Sequence, residues 1–142
     1  NYSCLVEREF LDREARVWFL ETADVFGLSH YGTPIQPVVE HLEQNVPTVL
    51  EIDIQGARRV KERAEELGLD VMTVFIAPPS FEELKRRLIG RGTETAEQQA
   101  KRLETAKIEL AAESEFDVVI VNEVVEDAAA QLWNIIATEV GL

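Results

Sequence analysis

The sequence predicts an α/β fold: a parallel sheet core carrying a small β-rich lobe at its N-terminal end. Three observations predict it. From residue 48 onward, apolar runs of strand length alternate with helical stretches, the pattern of parallel strands joined by crossover helices. Residues 1–33 differ, with two strand-like runs and no long helix. Finally, Val49-Leu50-Glu51-Ile52-Asp53 brings two carboxylates to the C-terminal end of an apolar run, just before a helix, where open α/β sheets bind ligands.

Each element has its own signal. Tyr2–Val6 reads as strand, and Glu7–Glu14 as a short helix with Phe10 and Leu11 between charges. Val17–Phe26 is rich in β-branched and aromatic residues and reads as strand. Within it Glu21 is a carboxylate among apolar neighbours. Gly27–Gly32 is bracketed by glycines, which predicts a turn or loop. Pro34–Asn45 reads as helix, with Pro37 in the first turn, where a missing N–H costs little. Val49–Ile52 is apolar on both faces, which predicts a strand in the middle of a parallel sheet. A helix follows over 54–67, closed by Gly68. Val71–Ala77 is the next strand, broken by Pro78-Pro79. Ser80-x-x-Glu83 and Thr95-x-x-Gln98 are capping boxes that open helices toward Ile89 and Ala112. Leu103, Ala106 and Leu110 give the second of these its apolar face. Val118–Val121 is a third buried strand, and Val125–Ala137 a last helix.

The 142 residues suit one domain, residues 1–142, large enough for a real core. No apolar run approaches the roughly 20 residues of a membrane span. The single cysteine, Cys4, excludes an internal disulfide and fits a reducing cytoplasm. Its apolar surroundings predict a buried structural thiol. A formal charge of −13 argues against nucleic acid or an anionic membrane as partner. Yet Lys85, Arg86, Arg87, Arg91, Lys101 and Arg102 fall within 18 residues. A positive patch in an acidic chain is a seat for a small anion such as phosphate. Asp53 has two readings, as the cap of the helix at 54 or as part of a site.

Three blocks occur in order: Phe19-Leu20-Glu21-x-Ala23-x-Val25-Phe26-Gly27 with Tyr31-Gly32-Thr33, Glu51-Ile52-Asp53-Ile54-Gln55-Gly56, and Ala77-Pro78-Pro79-Ser80 with Leu84–Gly92 and Arg102. In these blocks the chain resembles guanylate kinase, from Tyr2 to at least Asn122. The resemblance implies a P-loop NTPase-like core over 34–142, a GMP-binding lobe over 1–33 and a helical lid over about 86–102. It implies phosphoryl transfer from ATP to GMP, with Mg2+ accompanying ATP. Glu21 matches the carboxylate that reads guanine N1–H and N2–H, and Thr33 a hydroxyl that donates to guanine O6. Tyr2 and Tyr31 match tyrosines that bond the GMP phosphate. Glu51 and Asp53 match an acidic pair near the nucleotide, with Glu at 51 where the family often has Asp. Arg87, Arg91 and Arg102 match lid arginines over the ATP phosphates.

One departure stands beside the match. No Gly-x-x-x-x-Gly-Lys occurs in these residues, and the resemblance places that P-loop before Asn1. The expectation is that the isolated chain transfers little phosphate, lacking the amides and lysine that cradle ATP. By the same analogy the P-loop strand belongs between Val49–Ile52 and Val71–Ile76. Its absence predicts unpaired strand edges, and with them a possible homodimer by strand exchange. Two further readings of the same resemblance are a non-catalytic guanylate-kinase-like module that binds a protein, and a degenerate GMP-binding domain.

Overall fold

The computed structural model describes residues 4–16, 18–25, 29–90, 92 and 94–141. The chain divides into two compact units, residues 1–71 and 72–142.

In the first unit, α1 (Glu7–Ala15) precedes β1 (Phe19–Val25) and β2 (Ser29–Pro34), then α2 (Ile35–Glu43) and α3 (Ile54–Leu67). Strands β1 and β2 pair antiparallel, with Glu21 opposite Thr33 and an irregularity between Phe19 and Glu21. The glycine-bracketed stretch expected as a loop is therefore strand from Ser29 on. Position 32 needs glycine because the Phe19 ring fills the space a side chain would take. A Cβ there would come within 2.7 Å of Phe19 Cδ1. Phe10 of α1 stacks on Phe19 at 4.9 Å and on His30 at 5.4 Å. The core of this unit is Leu20, Val38 and Val60, with Ile35, Leu42, Leu50 and Ile52 packed around them.

Val49–Ile52 departs from expectation. No ladder includes it among the described residues, because a strand is made by its partner as much as by its own residues. Nor is it buried on both faces. Leu50 and Ile52 are half-buried on the core, while Val49, Glu51 and Asp53 are exposed. Residues 4–6 likewise form no strand, and Cys4 is exposed rather than buried. Helix α3 follows its signals. Asp53 caps it by accepting from Gly56 N at 2.7 Å. It ends at Gly68, whose φ of +68° suits a residue without Cβ.

In the second unit, β3 (Val74–Ala77) and β4 (Val118–Val121) pair parallel, Val74 opposite Val118 through Ala77 opposite Val121. Between them run α4 (Phe81–Ile89) and α5 (Ala96–Ala111), and α6 (Val125–Glu139) closes the unit. The expected strand from Val71 begins only at Val74, since Val71 and Met72 are exposed. Just before β3, buried Thr73 is tied to Asp117. Its N–H and hydroxyl donate to Asp117 Oδ2 at 2.8 and 3.0 Å, and Asp117 N donates to its Oγ1 at 3.1 Å. The Thr95–Gln98 capping box forms in full. The Ser80 box forms by half: Ser80 accepts from Glu83 N at 3.1 Å, but the Glu83 carboxylate turns to Arg86 and Arg87. On α5 Ala106 is buried between half-buried Leu103 and Leu110, and on α6 Ala128 is buried.

Candidate functional site

Glu21 is the buried acid of the first unit, 8% exposed. Cross-strand partners share a face, so the ladder that sets Glu21 opposite Thr33 lets their side chains meet. Thr33 Oγ1 donates to Glu21 Oε1 at 2.8 Å. A carboxylate oxygen has a second lone pair, and Oε2 is a separate acceptor, so Glu21 keeps acceptor capacity for an incoming pair of donors. Its Oε2 is directed at the start of α3. A Cβ built on Gly56 would lie 3.3 Å from Glu21 Oε2, 3.2 Å from Asp53 Oδ1 and 3.2 Å from Ile52 Cβ. Gly56 thus makes the room in which two carboxylates approach one helix start.

Asp53 is engaged as the α3 cap. Glu51, two residues earlier, is exposed. Among the described residues no cluster of three or more His, Cys, Asp or Glu could hold a metal ion, so these two acids are not a complete metal site. Tyr31 is 49% exposed. Tyr2 lies outside the described residues.

Beside Glu21 is a cavity of about 350 Å³ lined by Glu14, Phe19, Thr22, Arg59 and Arg63 among others. Arg59 Nη1 donates to the Thr22 carbonyl, and Thr22 Oγ1 donates to Glu14 Oε1 at 2.7 Å. Sequence reasoning quoted Gly56 only as the end of a family block, without a role of its own, and missed Arg59. Gly56 left a signal, a residue without side chain in the first turn of a helix. Arg59 left none, because its partner is a backbone carbonyl.

In the second unit the candidate arginines sit on carboxylates of their own segment. Arg87 Nε is 3.0 Å from Glu83 Oε1, and Arg86 Nη2 is 2.7 Å from the same oxygen. Hydrogen bonding from Arg86, then from Arg87, outweighs desolvation and lowers the Glu83 pKa, and Glu83 in turn raises that of Arg86. Arg102 Nη2 lies 2.8 Å from Glu94 Oε1. Arg91 lies outside the described residues.

A family model described as guanylate kinase matches residues 1–139. The chain belongs to the guanylate kinase family. It is 72% identical over 142 residues to the guanylate kinase of Bifidobacterium longum, covering the whole chain and 72% of that protein. It is 46% identical over 141 residues to that of Streptomyces kasugaensis, covering 99% of the chain and 66% of the relative. Among solved structures, guanylate kinase from Anaplasma phagocytophilum superposes with a TM-score of 0.75 at 35% identity, covering 97% of this chain and 64% of that one. The fold is therefore the P-loop NTPase-like fold of guanylate kinases, a family of nucleoside monophosphate kinases that use ATP. No helix among the described residues is long and apolar enough to cross a membrane.

Proposed function

We propose that this chain supplies the GMP-reading and phosphate-binding parts of an ATP:GMP phosphotransferase. The observation that carries the reading is Glu21, a buried carboxylate bonded to a neutral hydroxyl and facing the space over Gly56. Guanine presents two adjacent donors, N1–H and N2–H, that one carboxylate accepts together. Adenine presents an acceptor at N1 and would leave the buried acid unpaired, which is how large discrimination arises. Thr33 orients the carboxylate, and its hydroxyl is placed to turn to guanine O6. Tyr2 and Tyr31 bond the GMP phosphate, and Glu51 and Asp53 orient the nucleotide.

In the transfer, a GMP phosphate oxygen forms a bond to the γ-phosphorus of ATP as the bond to the ADP oxygen breaks, giving GDP and ADP. Charge spreads over the three equatorial oxygens, and Arg87, Arg91 and Arg102 supply donors of fixed geometry for it. Mg2+ would be held chiefly by the ATP phosphates rather than by this chain, and would supply neutralisation of their charge. A cytoplasmic setting fits these substrates. A homodimer fits the unladdered Val49–Ile52 segment, and light scattering would read it.

Calorimetric titration with GMP and AMP tests the reading. The expected result is GMP-selective binding that Glu21→Ala abolishes. Equal binding of AMP, or undiminished GMP binding by the variant, would overturn it.

A further inference from the structure

Glu21 can accept two donors at once only if its carboxylate is held in one orientation. The ladder partner Thr33 holds one carboxylate oxygen, but the β1–β2 register is irregular just before Glu21, between Phe19 and Glu21. Support comes from the next residue. The Thr22 carbonyl accepts from Arg59 Nη1 on α3, and the Thr22 hydroxyl donates to Glu14 on α1. Arg59 stands three residues after Gly56, so the two share a face of α3. Gly56 gives the carboxylate space, and Arg59 grips the backbone that carries it.

We propose that Arg59 is a positioning residue for guanine selection: through the Thr22 carbonyl it fixes Glu21 over Gly56. It touches no nucleotide in this scheme. The inference rests on the reading of Glu21 given above. A carbonyl anchored by a guanidinium takes a charge-assisted hydrogen bond, roughly twice as strong as a neutral one. An arginine at this place therefore stiffens the strand more than a neutral side chain would.

The test compares GMP with IMP, which lacks the N2 amino group and so offers Glu21 one donor fewer. Titrations are run on the unaltered protein, Arg59→Met and Arg59→Lys, with thermal melts alongside. The preference for GMP over IMP should fall about tenfold in Arg59→Met, the worth of one well-made bond to a charged group. Arg59→Lys should restore most of it. Arg59→Gln repeats the measurement if the Met variant does not fold. An unchanged preference in Arg59→Met would overturn the assignment. So would equal weakening of both nucleotides with a lower melting temperature, which marks a structural role alone. Absence of any GMP preference in the unaltered protein would instead overturn the reading of Glu21, and this inference with it.

Discussion

The candidate site residues of the two units handle charge in opposite ways. In the first, Glu21 is buried, bonded to Thr33 and faced by a glycine. In the second, Arg86, Arg87 and Arg102 stand largely in solvent and lean on glutamates of their own segment. A buried acid in fixed geometry selects, since any ligand that fails to satisfy it pays a desolvation penalty. Exposed ion pairs contribute little stability, so their arginines can be handed to a phosphate at small cost. On the proposed function, the rigid arrangement serves recognition and the loose one serves charge neutralisation.

The sharpest way to break this comparison is at Glu21. Glu21→Gln should weaken GMP binding by about a hundredfold, because the amide replaces an acceptor by a donor beside N1–H and N2–H. Calorimetry reads it, and a change under threefold would show that the buried acid does not select. Next comes Gly32→Ala. Its Cβ would press to 2.7 Å from the Phe19 ring, and overpacking of this kind costs about 1–3 kcal/mol. Urea unfolding should show the loss.

Asp53 sharpens the contrast further, because it can be cap, ligand or both. Asp53→Ala should cost about 1 kcal/mol of stability, the usual worth of an N-cap. Asp53→Ser keeps the cap and should restore stability. If GMP affinity also returns, Asp53 acts only as cap; if it stays low, the carboxylate meets the nucleotide. The smallest effect belongs to Glu83. Its pKa is depressed below the ordinary 4.5 by its arginines. Its pairing is therefore complete above that value and lost as pH falls through the depressed one. Glu83→Gln should lower the melting temperature slightly at pH 7, an exposed pair being worth little, and the difference from the unaltered protein should vanish as pH falls through the depressed value.

What the sequence made legible follows from where each signal resides. Helices carry their own punctuation, so Asp53, Gly68, Thr95 and Gln98 marked α3 and α5 closely. Val118–Val121 was readable as a strand because it is short, apolar and strongly bounded, but it is not buried as expected, since Val119 and Val121 are exposed. Val49–Ile52 has the same apolar composition but no ladder, and no residue within it reports on a neighbour that pairs or fails to pair. Ser29–Pro34 was hidden by its glycine, whose fit depends on Phe19 ten residues or more away in sequence. At the site, Glu21 stood out as an acid among apolar residues, and its cross-strand partner Thr33 came with the family blocks. The hold of Arg59 on a main-chain oxygen was beyond any side-chain pattern.

The knot between Thr73 and Asp117 has a consequence for the sheet it precedes. Val74–Ala77 and Val118–Val121 are four apolar residues each, and such segments fit together almost as well one step out of phase. A slip of one residue would turn every side chain to the opposite face. The hydrogen bonds between Thr73 and Asp117 close in one alignment only. They act as an index mark: the ladder supplies adhesion, and a polar pair at its edge says where to begin.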